Sequence, residues 1–254
     1  NQFIQLAMWP LGTMLVSLSS SAFALIVSLV LFSLSTVVTI YFYQSLTEDI
    51  VDDGTEESIT LRDSLTYVRT SPFARRVTWF VTYESFVSTL WISALLLVYL
   101  ERHLQVDTGW WGTLNASFLI SMIAASAYLY RSRRAPSLPS TAVLSIVAAL
   151  LFGVTEHLAF AILALVIQGA ATQIRIIQTN TVIQEQIPTT QLPYVYSVQQ
   201  TGYALAFSMG SLLFGLLADR LPIDSVYLLG AFLTLPLIWI GRLTEQSILT
   251  ASSV

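Results

Sequence analysis

Cysteine and lysine are both missing from this chain. Without cysteine there is no disulfide framework, no thiolate-held zinc and no iron–sulfur cluster. Without lysine there is no amine for a Schiff base, which excludes retinal and pyridoxal phosphate as attached groups. All eleven basic residues are arginine. Charge of either sign is scarce: 10% of the 254 residues are charged, against 55% hydrophobic, and the mean hydropathy is +0.70. A soluble domain is about a quarter charged, so the polar surface needed to face water is not available. A basic patch for nucleic acid is lacking too, as are a Gly-x-Ser-x-Gly elbow and a phosphate loop. No enzymatic constellation emerges, and the sequence calls for no cofactor. His103 and His157 are distant from one another and form no metal site.

Long apolar runs fill the rest. They fall at about Phe3–Leu18, Ala22–Tyr43, Phe73–Leu100, Gly112–Tyr130, Thr141–Val154, Leu158–Val182, Tyr194–Leu217 and Val226–Ile240. A spanning helix needs about 20 apolar residues, and backbone groups in lipid must be paired within their own segment. The expectation is an all-α polytopic membrane protein with about eight transmembrane helices, the first and fifth rather short. Breaks are expected at Pro136 and Pro139, at Glu156-His157, at Pro188 and Pro193, and at Pro222. Threading these helices puts Arg62, Arg69, Arg75, Arg76, Arg131, Arg133, Arg134 and Arg242 on one side and only Arg102 and Arg220 on the other. The excess of arginine marks the first side as cytoplasmic and puts Trp110 and Trp111 at the outer interface.

The longest polar stretch, Gln44 to Arg76, carries Glu48, Asp49, Asp52, Asp53, Glu56, Glu57 and Asp63. Its acids do not follow the every-second-residue pattern of a calcium loop, so it reads as a solvated cytoplasmic linker. The second half, with Ile59, Leu61, Leu65 and Val68 set among charges, has the pattern of a short amphipathic helix. The chain opens at Asn1 without a signal-peptide pattern, and it reads as a fragment of something longer.

Two charges lie deep in apolar segments, Glu84 and Arg175. A charge at the centre of a membrane helix costs about 2.5–3.5 kcal/mol on insertion scales, and it normally faces a watery path or a partner. Glu84 is eight residues beyond Arg76 and Arg175 ten before Glu185. At about 1.5 Å per residue both lie about 12–15 Å inside the same boundary, so the two are able to meet. Arg175 shares a helix stripe with Gln168, Thr172, Gln178 and Thr179, and Gln173, Asn180 and Gln184 form a second polar stripe. Phe80 and Trp91 share the Glu84 face, with Tyr83 beside it, and aromatic walls suit lipophilic or cationic ligands. The plain alternatives are a static ion pair that fixes two helices, hydrogen bonds between helices, and aromatics that only pack. Ala206-x-x-x-Gly210 and Ser211-x-x-x-Gly215 read as close-packing motifs.

The order of an apolar pair, a long polar loop and six further apolar segments resembles the second part of a major facilitator superfamily transporter. The local text resembles the drug-exporter branch typified by macrolide efflux proteins. Ser64-Leu-Thr-Tyr-Val-Arg-Thr-Ser-Pro72 looks like the approach to the family's seventh helix. Gly169 through Pro188, with Asn180 and Gln184, is similar to the tenth, and Gly210-Ser-Leu-Leu-Phe-Gly-Leu-Leu-Ala-Asp-Arg220 to the end of the eleventh. Two stretches depart from the branch pattern: Trp9-Pro10-Leu11-Gly12-Thr13 keeps only a remnant of its fifth-helix motif, and Gln191-Leu192-Pro193-Tyr194 replaces a basic turn. Gly215-Leu-Leu-Ala-Asp-Arg220 also resembles the family signature between the second and third helices, a rival alignment.

On the first alignment the resemblance implies the C-terminal part of a twelve-helix fold, with helices 1 to 4 of its own chain missing. Residues 1–43 would be the last two helices of the N-terminal half, 44–76 the acidic linker, 77–242 the C-terminal six-helix half and 243–254 a cytoplasmic tail. It further implies a bacterial inner-membrane protein whose partners are the lipid bilayer, protons and a small-molecule substrate. The activity implied is proton-coupled export of hydrophobic, macrolide-like compounds by alternating access. Glu84 and Arg175 would then stand on two cavity-lining helices, Glu84 carrying the coupling proton or binding a cationic substrate. A siderophore or metabolite exporter of the same superfamily, or a membrane receptor or sensor, is the alternative.

Overall fold

The computed structural model describes residues 21–49, 60–107, 109–132 and 136–251. The expected first helix, the Trp9-Pro10 remnant and most of the acidic cluster lie outside the described residues. Helix α1, Ser21–Asp49, stands in a compact unit of its own, and the remainder from Ile59 onward forms a second. In α1 the hydroxyls of Ser33, Thr36 and Thr39 donate to carbonyls one turn back, at 2.8, 2.9 and 2.9 Å. That pairing lets an apolar helix carry hydroxyls without leaving them unsatisfied in lipid.

The second unit is a helical bundle: α2 (Leu61–Thr70), α3 (Pro72–Ser88), α4 (Ser93–Tyr99), α5 (Trp110–Ser132), α6 (Leu138–Val154), α7 (Leu158–Gln186), α8 (Leu192–Arg220) and α9 (Ile223–Ala251). No strand occurs among the described residues. Six helical stretches there are long and apolar enough to cross a membrane, and α6, with 17 residues, is a shorter apolar helix. The outward faces are apolar, with Trp79, Leu212, Phe232 and Trp239 each about two-thirds exposed, as lipid contact requires. Among the described residues the protein is all α, with the helices of a polytopic membrane protein.

Capping sets the helix starts. Thr60 accepts from the Asp63 amide, Ser71 from Ala74 and Ser137 from Ser140, each at 3.3 Å, with Pro72 and Pro139 in the first turns of α3 and α6. The amphipathic stretch of the polar loop is helix α2, whose buried Ser64 and Val68 face the bundle. It packs on α8, with Tyr67 beside Tyr194 at 6.1 Å between ring centres.

The main packing partners run α8–α3–α9–α6–α7–α5. Several glycines in this order sit where helices approach closely, and a Cβ on two of them would meet a neighbouring backbone carbonyl at under 3 Å. A Cβ on Gly169 of α7 would run into Ser121 Oγ and the Phe118 carbonyl of α5, and one on Gly210 of α8 into Thr89 Oγ1 and the Phe86 carbonyl. Gly215 has nothing within 4 Å, so of the two small-residue motifs Ala206–Gly210 is the one at a tight contact.

The span expected to run unbroken from Phe73 to Leu100 is interrupted. A short 3-10 turn, Thr89–Trp91, is followed by Ile92 in extended backbone (φ -67°, ψ 146°) before α4 resumes. A π-turn over Leu100–Leu104 then ends at Gln105 in the left-handed region, φ 52°. Beyond the interruption a core of aromatic rings forms: Trp91, Tyr99, Phe152 and Tyr227 lie with ring centres 3.9–5.6 Å apart. The Tyr99 hydroxyl donates to the carbonyls of Phe152 (2.7 Å) and Thr155 (3.1 Å). At the opposite end of the bundle Val68, Ala74, Val77, Ile183, Ile187 and Val195 make a second apolar cluster.

Candidate functional site: a cavity closed by an ion pair

Helix α3 is backed by α8 and α9, and α7 by α5 and α6, so α3 and α7 have few close backbone contacts. The gap between them is bridged by long side chains. Arg175 Nε and Nη2 both donate to Glu84 Oε1, at 3.3 and 3.2 Å. Its Nη1 donates to the Thr141 carbonyl at 3.3 Å and to Ser145 Oγ at 3.0 Å. One guanidinium thus ties α7 to α3 and α6. The arginine side chain is 4% exposed and the glutamate 19%, so charge cancellation and hydrogen bonding offset the cost of burial. Among the described residues no donor reaches Glu84 Oε2.

A cavity of about 250 Å³ lies against this pair. From α3 it is lined by Phe80, Val81, Glu84 and Ser88. Helix α7 adds Thr172, Arg175, Ile176, Thr179 and Asn180, and α8 adds Gln199 and Tyr203. The wall therefore mixes one anion, one already engaged cation, several neutral polar groups and two aromatic rings.

The sequence candidates divide here. Phe80, Glu84, Thr172, Arg175 and Thr179 all border the cavity. Gln168 lies deeper, where its amide donates to Thr172 Oγ1 at 3.2 Å in a pocket of about 10 Å³ beside Glu84 and Arg175. Tyr83 turns the other way, its hydroxyl donating to the Leu233 carbonyl of α9 at 2.6 Å, one turn before Pro236. Gln178 donates to the Pro136 carbonyl and so holds the loop before α6. Trp91 belongs to the aromatic core, because the interruption at Thr89–Ile92 carries it off the face that an unbroken helix would have given it. These three side chains are not in the cavity lining. Gln199 and Tyr203, by contrast, were not among the candidates; the polar run Gln199-Gln200-Thr201 inside an otherwise apolar helix was the available signal.

Among the described residues no group of three His, Asp or Glu side chains gathers to hold a metal ion. His103 Nε2 pairs with the Thr155 carbonyl at 2.9 Å, near the Tyr99 ring.

Helices long and apolar enough to cross a membrane thus surround a polar, charge-bearing cavity. Over 142 residues, 53% of its length, the chain is 29% identical to the uncharacterized MFS-type transporter YjbB of Bacillus subtilis (strain 168). The stretch covers 35% of that relative, so the chain spans about a third of the length of the protein it matches. The likeness supports a place in the major facilitator superfamily and does not reach to any drug-efflux branch. No family model matches the chain, and no solved structure matches it.

Proposed function

We propose that this chain is the C-terminal part of a proton-coupled exporter of the bacterial inner membrane, working by alternating access, with Glu84 in the coupling path. The observation that carries the reading is the buried Glu84–Arg175 pair on the cavity wall, with only one carboxylate oxygen engaged. An intramembrane acid beside a cavity is the usual means of linking proton entry to substrate exit. Protonation of Glu84 would cancel its attraction for Arg175 and loosen α3 from α7, which is a change that a transport cycle requires. The substrate class is hydrophobic and drug-like, with a cationic group directed to Glu84 and aromatic contact from Phe80 and Tyr203.

The cavity volume favours a second reading within the same class. About 250 Å³ is at the small end for ligand sites, which run to roughly 300–1,000 Å³. It admits the amino sugar of a macrolide but not its ring, so a smaller metabolite fits this half-site as it stands.

The test follows efflux of a macrolide and of a cationic dye from cells stripped of their own exporters and supplied with the protein that carries this chain. Wild type and Glu84→Gln are compared before and after collapse of the proton gradient. Gradient-dependent efflux that is lost in the variant supports the exporter with Glu84 in the coupling path. Efflux unchanged by both interventions removes that role, and export of neither compound shifts the reading to the metabolite.

A further inference from the structure

Helix α2 presents three strips. Ser64 and Val68 are turned into the bundle. Leu61 and Leu65, one helical turn apart, come next and are 55% and 40% exposed. Beyond them Arg62 and Arg69 stand exposed on one line, two turns apart. The order from buried to apolar to basic is that of a helix lying along a membrane surface, with leucines at the acyl boundary and guanidiniums among the headgroups.

The start of α3 continues the pattern. Ser71 alone joins the two helices and fixes the corner: its amide donates to the Tyr67 carbonyl at 3.0 Å, and its hydroxyl accepts from the Ala74 amide at 3.3 Å. Arg75 and Arg76 are exposed four and three residues before Trp79, so they share its face. Trp79 is 65% exposed and lies about 140° round the helix from Glu84, off the cavity face. An exposed indole on an apolar outer wall marks the interface layer. The two arginines stand about 5 Å nearer the helix end, at the depth of phosphates.

From Thr60 to Trp79 there are four arginines and one acid, Asp63, which accepts from the Thr60 hydroxyl. Among the described residues none of the four arginines is in an ion pair. An excess of arginine on one side orients a membrane protein wherever the residues stand. Here they are gathered over leucine and indole with their donors unused, and a guanidinium fork matches phosphate oxygens. We propose that the α2–α3 corner is a docking site for anionic phospholipid, its phosphate held by the arginines and its acyl chains by Leu61, Leu65 and Trp79. Docking here is independent of what the cavity carries, so it goes beyond the exporter reading.

The experiment uses the purified protein carrying this chain, in detergent with equal amounts of phosphatidylglycerol and phosphatidylcholine of the same acyl chains. Retained lipid is read by native mass spectrometry, and thermal midpoints are taken without lipid and with each lipid. Wild type should retain phosphatidylglycerol in preference and be stabilised more by it. Inorganic phosphate should leave the midpoint unchanged, since it offers nothing to the leucines and the indole. Arg75→Gln with Arg76→Gln, and separately Arg62→Gln with Arg69→Gln, should each lower the preference by about five- to twenty-five-fold, at up to about five-fold per arginine. The lipid-free midpoint should not move. Arg242→Gln, which removes an exposed arginine of α9, should change the preference by less than about two-fold.

Equal retention of the two lipids by the wild type, or a preference unchanged in both double variants, overturns the proposal. So does an equal loss from Arg242→Gln, which would leave only a general excess of charge. Stabilisation by inorganic phosphate as large as that by phosphatidylglycerol assigns the arginines to a free anion and overturns it too. A lowered lipid-free midpoint in both double variants assigns them to the fold, with the same result. Neither readout involves transport, so the exporter reading and this one fail separately.

Discussion

Arg175 offers two N–H groups to one oxygen of Glu84, 3.3 and 3.2 Å away, across a gap that backbone packing does not close. The pair is therefore both a fastening and part of a cavity wall, and its removal in parts should cost more than its removal whole. Arg175→Gln should destabilise the protein by about 3 kcal/mol, the low end for a broken buried pair, because the 19% exposure of Glu84 lets water reach the stranded carboxylate. Adding Glu84→Gln to Arg175→Gln should restore much of the loss. Thermal unfolding in detergent of both single variants and the double variant gives the coupling.

Gly210 and Gly215 stand on the same helix and should respond in opposite directions. A Cβ at Gly210 strikes Thr89 and the Phe86 carbonyl, so Gly210→Ala should cost about 1–3 kcal/mol through overpacking. At Gly215 the space is open, and Gly215→Ala should stabilise by about 0.5–1 kcal/mol from helix propensity. A pair of melting curves decides it, and equal effects would mean that the contact at Gly210 is not tight.

Tyr83→Phe should lower stability by about 1 kcal/mol, the value of its bond to the Leu233 carbonyl. Substrate preference should not move, because that hydroxyl is turned to α9 and not to the cavity. A changed ranking of transported compounds in this variant would contradict that placement.

Glu245 near the end of α9 accepts from the Leu138 amide at 2.6 Å and so caps α6 from outside. Glu245→Ala should cost about 1 kcal/mol. Hydrogen exchange should accelerate locally, in the first turn of α6, with α7 unaffected.

Much of this was legible in the sequence for physical reasons. Eight long apolar runs announce helices because a helix pairs its backbone groups within its own segment, and seven of them fall on described helices. The remaining one, the first in the chain, lies outside the described residues. Glu84 and Arg175 were conspicuous because a charge is costly where they stand, and counting residues from flanking charges put them at one depth. They are in contact. Trp91 was misplaced because helical phase was carried through Thr89–Ile92, where the chain tightens and then extends without a proline to announce it. Gln199 drew no notice since a neutral amide is cheap to bury if paired, and only coordinates reveal that it is not.

The interruption at Ile92 has a mechanical meaning. On one side the span is a rod pinned by Ser85 to α8 and by Glu84 to Arg175. On the other it is a separate short rod whose own Tyr99 ring is held against Phe152 and Tyr227. The joint between them lacks the continuous ladder that makes a helix stiff, so a tilt of the outer rod need not be transmitted to the carboxylate. At Ile92 the direction of one half therefore does not dictate that of the other.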